Sequence, residues 1–440
     1  MATSIALALS ADGYHVDVTS SPAALTEQLV VTAALGEGTA RDIHWRAVAQ
    51  AQAFRSAGGK SLILLQDTGG CYHAGPTQGW HGGMAALART AALEWPDMKV
   101  RCIDIAVNPD DISGTTERLL SALGSTHPAV GVDLHGRLYS LQPGQMLSRP
   151  TQQPVPSHAS DVWLVSGGAR GVTADCIEAL AQRVSGRFVL LGRSVPAPWP
   201  ANIEITNDVR ALRQQLAARV IASGKRPVPR DIERAARQAL AGQEIRHTMT
   251  RLEAAGVSVQ YHACDISVQQ QVNDVVAKIQ SELGKVTALV HGAGVLADSL
   301  LVDKTRAQFD RVFETKVCGL QHLLEAVGDS PLKQVALFSS AAAFYGNIGQ
   351  ADYAMANEIL NRVAHSLKRR WPDATIKSFN WGPWESGMVD QTLARYFEDR
   401  GIQLIPVKEG STLFADEVLS GDHRHVELLV GDPWNDPSSG

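Results

Sequence analysis

Val162-Trp163-Leu164-Val165 runs directly into Ser166-Gly167-Gly168-Ala169-Arg170-Gly171-Val172-Thr173, and a helical pattern follows from Thr173 to Arg183. A short apolar run that stops on glycine reads as a fully buried strand. Glycines at 167, 168 and 171 let the chain turn sharply and bring backbone close to a phosphate. The helix that follows offers unpaired N–H groups and a partial positive charge. A glycine cluster alone says little. Its position after the first strand of a strand–helix–strand unit makes it a candidate dinucleotide turn.

Downstream the pattern repeats. Apolar runs at Phe188-Val189-Leu190-Leu191, Val257 to Tyr261, Ala288 to Val290, Val335 to Phe338 and Ile376 to Phe379 alternate with helical patterns. That alternation predicts a doubly wound parallel sheet in an α/β fold, with ligands beyond the carboxyl ends of the strands. Between Pro196 and Met249 strand formers are few. The stretch is helical, Ala-rich and carries Arg210, Arg213, Arg219, Lys225, Arg226, Arg230, Arg234 and Arg237. It reads as a solvated helical insertion over about 196–250, or as a basic face for an acidic partner.

Upstream, residues 142–160 are rich in Pro, Gln and Ser and read as a linker between a first block, 1–150, and a second, 160–432. The first block looks like a worn copy of the second. Trp95-Pro96-Asp97-Met98-Lys99-Val100-Arg101 matches Trp371-Pro372-Asp373-Ala374-Thr375-Ile376-Lys377, each after an amphipathic helix and before an apolar strand. Two Rossmann-like subdomains are therefore expected, the first degenerate. The 440 residues suit two or three cores, and 45% hydrophobic with 19% charged residues is a globular composition. A net charge of −5 gives no basic excess for a nucleic-acid groove. No apolar run reaches the roughly 18 residues of a bilayer span. The five cysteines (Cys71, Cys102, Cys176, Cys264, Cys318) lack CxxC spacing, which argues against a disulfide frame or a zinc site and for a reducing cytoplasm.

Two arginines bear on the cofactor. Arg170 lies in the glycine turn and Arg193, followed by Ser194, ends the second strand, where an NAD site usually holds a carboxylate. A guanidinium fork there suits a 2′-phosphate, so NADP(H) is expected over NAD(H). A surface arginine paired with a carboxylate is the plainer alternative. Cys264-Asp265-Ile266 closes the third strand. Asp265 would accept from the adenine amino group or cap the helix starting near Ser267. His291-Gly292-Ala293-Gly294 closes the fourth, its small residues leaving room for a ribose.

With Lys316-Val317-x-Gly319, Phe338-Ser339-Ser340, Gly349-Gln350-x-x-Tyr353-x-x-x-Asn357 and Trp381-Gly382-Pro383-Trp384 added in this order, the second block resembles the short-chain dehydrogenases/reductases. It is most similar to the ketoreductase domains of polyketide synthases and of polyunsaturated-fatty-acid synthases. The resemblance implies Tyr353 as general acid, Lys316 as the cation that favours its ionised form, Ser340 (or its neighbour Ser339) as donor to the substrate carbonyl, and Asn357 one helical turn beyond Tyr353. It also implies that Gly167, Gly168, Arg170, Gly171, Val172, Arg193, Ser194, Cys264, Asp265, Ile266, Gly292, Ala293, Gly294, Lys316, Tyr353 and Pro383 hold NADPH. The first block keeps none of this chemistry. By the same offset the counterparts of Tyr353, Asn357 and Ser340 are Thr77, His81 and Leu64.

The resemblance implies reduction of a 3-ketoacyl chain carried on an acyl carrier protein, with other synthase domains as neighbours. The terminal Asp436-Pro437-Ser438-Ser439-Gly440 and the abrupt start are those expected of a domain in a longer polypeptide. The family's Leu-Asp-Asp element, which marks the 3R alcohol, reads Leu296-Ala297-Asp298 here, and the tryptophan position that marks the opposite hand is Tyr345. A 3R product is expected, with Asp298, Tyr345, Gln350, Trp384 and Met388 on the substrate side; a plain loop acid is the alternative for Asp298. A lid is expected at about 383–408, its helix from Gln391 to Arg400, or else an ordinary surface helix. Competing readings are a free short-chain reductase acting on a small ketone or sugar and a non-catalytic scaffold that only binds nucleotide.

Overall fold

The computed structural model describes residues 2–11, 16, 18, 27–72, 78–125, 127–144, 156–206, 208–387, 395, 397–399 and 401–434. The first block runs α1 Ala2–Ala11, β1 Gln28–Ala34, α2 Ala40–Ser56, β2 Ser61–Gln66, α3 Met84–Glu94, β3 Lys99–Ile105, α4 Ile112–Leu123, β4 Ala129–Val132 and β5 Leu138–Tyr139. The second opens with β6 Val162–Ser166, α5 Gly171–Ala181, β7 Arg187–Gly192, α6 Val209–Ala222, α7 Pro229–Ala254, β8 Ser258–Ala263, α8 Gln269–Leu283 and β9 Ala288–His291. It continues with α9 Arg306–Phe313, α10 Gly319–Val327, β10 Gln334–Ser340, α11 Ala341–Tyr345, α12 Ala351–Arg370, β11 Thr375–Trp381, α13 Val407–Ser420 and β12 Glu427–Val430.

The second block's sheet has the order β12-β11-β10-β9-β6-β7-β8, all parallel. Its central strands β6, β9, β10 and β11 are buried almost throughout, which is why they read as continuous apolar runs. The chain reverses direction across the sheet between β6 and β9, and a crevice opens there at the strand ends. The first block's sheet, β1-β2-β3-β4-β5, is parallel except for the two-residue β5, which pairs antiparallel with β4. Neither this two-residue edge strand nor the four-residue β12 is among the apolar runs that predicted the sheets.

Alternate residues of β2 face opposite cores. Ile63 and Leu65 pack toward α1 and α4, whereas Leu62 and Leu64 join a core that continues into the second block through Met355, Ile359 and Leu289. The two blocks thus share one core, with α2 and α3 laid against α9 and α12. Their kinship is visible at the helix ends. Trp95 caps α3 at φ −127°, ψ 67°, and Trp371 caps α12 at φ −125°, ψ 77°.

The helical insertion is smaller than its composition suggested. Leu212 and Leu216 of α6 pack on Ala236 and Ala239 of α7 in a satellite core, but Ile245 and Leu252 of α7 belong to the core of the sheet. The second half of α7 is therefore the crossover helix between β7 and β8. Among the described residues no helix is long and apolar enough to cross a membrane.

Candidate active site

A cleft of about 820 Å³ lies beyond the carboxyl ends of β6, β7, β9 and β10. Gly167 turns the chain at φ +75°, and a Cβ on it would stand 2.7 Å from the backbone N of Ala293, so the loops after β6 and β9 meet here only because both residues are small. The first turn of α5 faces the cleft at Gly171, Val172 and Thr173, and Arg170 before it supplies no side-chain cap. Those N–H groups suit a pyrophosphate. Gly168 does not face the cleft: a Cβ there would strike Val165, so its role is close packing of turn on strand.

The arginines differ. Arg170 is half exposed and pairs with Glu244 of α7 at 2.5 Å, the plainer of its two readings. Arg193 lines the cleft, is exposed, and has no ion pair or hydrogen bond among the described residues. Beside it the Ser194 carbonyl accepts from the Tyr261 hydroxyl at 2.6 Å. Cys264, Asp265 and Ile266 line the same end. Asp265 Oδ1 accepts from the N–H and the hydroxyl of Ser267, at 3.1 and 2.7 Å, and α8 starts two residues later than expected, at Gln269. The carboxylate thus caps a turn.

At the other end stands Lys316, in a π-helical turn, Glu314–Cys318, that joins α9 to α10. Such turns displace one residue from the regular helical ladder. Lys316 is 3% exposed; its Nζ donates to the Phe338 carbonyl at 2.8 Å and lies 5.5 Å from the centre of the Tyr353 ring. Burial pushes its ammonium down to about 7. Tyr353, in the first turn of α12, has its phenol pushed up by burial. The Asn357 and Ser340 side chains pull it back by hydrogen bonding, and the Asp298 carboxylate raises it. Ser340 caps α11, its hydroxyl accepting from the Ala342 N–H at 3.2 Å, which leaves its own proton for a partner in the cleft. Ser339 is committed elsewhere: its one hydroxyl proton is shared between the Asn357 carbonyl, at 3.1 Å, and Asn380 Oδ1, at 3.0 Å. Asn357 is fully buried beneath the cleft and donates to the Tyr353 carbonyl at 2.8 Å.

His291 precedes the Gly292-Ala293-Gly294 run at the end of β9. It is fully buried, and burial, then the neighbouring Lys316 charge, pushes it down to about 3. A neutral imidazole has one N–H. The Lys316 carbonyl can only accept, so Nε2 donates to it at 2.9 Å and Nδ1 accepts from the Ser166 hydroxyl at 2.7 Å. A polar residue ending the apolar strand Ala288-Leu289-Val290 was the signal for it.

On the wall expected to meet substrate, Asn347 donates to Gln350 at 2.9 Å and Gln350 donates to Asp298 at 3.1 Å, all three lining the cleft. Tyr345 is not in the lining; it stacks on Trp434, which is, at 5.7 Å between centroids. Trp434 is a wall residue that no local motif marked, and Phe397, also in the wall, falls within the expected lid helix. Trp384 touches the cleft but is 5% exposed and packs edge-on against Trp381, so most of it is core. Pro383 lines the cleft. The base of the expected lid is pinned where Ile405 N donates to the Pro383 carbonyl at 2.7 Å and Glu385 N to the Ile405 carbonyl at 3.1 Å. Met388, most of the Gln391–Arg400 helix, and Thr77 lie outside the described residues. The remaining counterparts in the first block, Leu64 and His81, sit in β2 and in a short 3₁₀ turn, Gln78–His81.

The family model described as KR domain matches residues 162–386. A polyunsaturated fatty acid synthase polypeptide of Thraustochytrium sp. is 34% identical over 374 residues, 82% of this chain and 13% of the relative. Polyketide synthase GfsA of Streptomyces halstedii is 29% identical over 337 residues, 74% of this chain and 4% of the relative. The chain thus spans a small part of the curated relatives it matches. Among solved structures, a ketoreductase domain from the bacillaene assembly line superposes with TM-score 0.70 at 20% identity, covering 94% of each chain. The first ketoreductase of the tylosin PKS gives 0.70 at 20% identity, over 98% of this chain and 86% of that one.

Proposed function

This chain belongs to the KR-domain family, the ketoreductase domains of polyketide and polyunsaturated-fatty-acid synthases, and from that premise we propose that it reduces a 3-ketoacyl thioester on an acyl carrier protein to the 3R-hydroxyacyl thioester with NADPH. The observation that carries this reading is the meeting of Lys316, Tyr353 and Ser340 at one end of a cleft whose other end presents Arg193 without a partner among the described residues.

The residues present fit the dinucleotide. The uncapped first turn of α5 and the close approach at Gly167 make a pyrophosphate cradle, and Arg193 matches a 2′-phosphate. When bound, the nicotinamide supplies the hydride. Ser340 donates to the ketone oxygen and orients it. Tyr353, kept protonated by burial, gives its proton to that oxygen as negative charge builds. Lys316, its ammonium 5.5 Å from the centre of the Tyr353 ring, then offsets the charge left on the phenol oxygen. Asn357 holds the helix turn under Tyr353, and His291 fixes the main chain of Lys316. Asp298 and Gln350 form the wall that selects the ketone face, while Trp434, backed by Tyr345, gives the acyl chain an aromatic surface. Chiral chromatography of the product made from a 3-ketoacyl pantetheine thioester with NADPH or NADH tests the reading. The 3R alcohol with a strong NADPH preference is expected; no alcohol from either cofactor overturns it.

A further inference from the structure

The first block reaches into the substrate wall of the second. Glu94, the last residue of α3, accepts two backbone N–H groups from different loops: Leu301 N at 2.5 Å and Gly349 N at 2.9 Å, one on each carboxylate oxygen. Gln52 of α2 donates to the Leu301 and Lys304 carbonyls, both at 2.8 Å. Lys304, buried with its side chain, donates to the Ala297 carbonyl at 2.7 Å and the Gly349 carbonyl at 3.3 Å, and pairs with Asp352 at 3.0 Å. Three of these anchor points adjoin a cleft residue. Ala297 precedes Asp298, Gly349 precedes Gln350, and Asp352 precedes Tyr353.

We propose that Glu94 is a positioning residue through which the non-catalytic block sets the distance between the Asp298 and Gln350 loops, and so fixes which face of the ketone is presented. A carboxylate suits this task because it accepts at both oxygens, whereas an amide of the same shape accepts at one and turns a donor toward the other N–H. Glu94 is absent from the cleft lining, so it acts only through the loops it holds. The inference rests on the reductase reading.

The test is Glu94→Gln in the full chain. The KM for a 3-ketoacyl pantetheine thioester is expected to rise, and the 3R:3S ratio to fall, each by roughly tenfold, the worth of one charge-assisted hydrogen bond. The KM for NADPH is expected to stay within about twofold, since the residues that would hold its phosphates, the first turn of α5 and Arg193, lie on other loops. Hydrogen exchange without substrate is expected to quicken at Leu301 and Gly349 and not in β9 or α12. Unchanged KM and product ratio, or a loss of NADPH affinity equal to the loss for the thioester, overturns the proposal. If the wild-type chain reduces nothing, the reductase reading fails by itself, and unchanged exchange at the two loops then overturns the positioning role separately. Should Glu94→Gln not fold, Gln52→Ala takes its place with the same readouts.

Discussion

The Nε2 of His291 donates to the main-chain carbonyl of Lys316 at 2.9 Å, while the Lys316 side chain extends to the Phe338 carbonyl at 2.8 Å. One imidazole therefore ties the end of β9 to the π-helical turn that presents the cation. His291→Leu keeps much of the volume but orphans the Lys316 carbonyl and the Ser166 hydroxyl, at about 1–3 kcal/mol for each buried group. A lower urea midpoint with an unchanged m-value, and a reduced turnover, are expected; an unchanged midpoint contradicts this account of the residue.

The buried ammonium sets a pH dependence. Lys316 is pushed down by burial to about 7, so it is charged below that pH and neutral above it. The phenol is pushed up and stays protonated throughout. Turnover with saturating NADPH is therefore expected to hold on the acid side of about 7 and to fall as the pH rises through it. In Lys316→Met the residual rate is expected to lack that inflection. A wild-type profile flat from about pH 6 to about pH 9 contradicts the role given to Lys316.

Arg193 and Arg170 are expected to separate in cofactor kinetics. Arg193→Ala removes charge-assisted hydrogen bonds worth about 1.5–3 kcal/mol, so the KM for NADPH should rise roughly ten- to a hundredfold, and that for NADH should hardly move. Arg170→Ala should cost less, because Arg170 is already paired with Glu244. Initial rates with both cofactors check the order.

The fold was legible because buried parallel strands are written as unbroken apolar runs, and the cleft because its residues sit at strand ends, where chain position and space coincide. Distant contacts were not legible. Glu94 meets Gly349 across 255 residues and Gln52 meets Lys304 across 252, and nothing local distinguishes them from surface polar residues. Trp434 reaches the cleft only because the chain folds back after β12. Gly168 and Asp265 were readable as types but not as orientations, since a turn glycine packs on a strand, and an aspartate caps a turn, as readily as either meets a cofactor.

The shared core makes the two blocks one unit. Arg362 of α12 is 1% exposed and donates to the Tyr72 carbonyl of the first block at 2.6 Å and to Glu427 at 2.7 Å. Burial pushes the Glu427 carboxyl up, but Arg362 and His365 more than offset this and hold it well below its usual range. Because that pKa is depressed, its contribution to stability is present at neutral pH and lost as the pH falls. Arg362→Met leaves Glu427 buried without its main partner, and a loss of about 3–5 kcal/mol is expected in urea titrations at neutral pH. A smaller loss for the variant at acidic pH than at neutral pH would support the pairing, and an equal loss would count against it.

The proposed central step is proton donation by one phenol to a ketone, and a comparison of wild type with Tyr353→Phe tests it most directly. NADPH oxidation is followed with a saturating 3-ketoacyl pantetheine thioester, and NADPH binding by fluorescence. The variant is expected to bind NADPH normally and to turn over roughly 10²- to 10⁴-fold more slowly. A variant that binds NADPH and reduces the thioester at the wild-type rate contradicts the account.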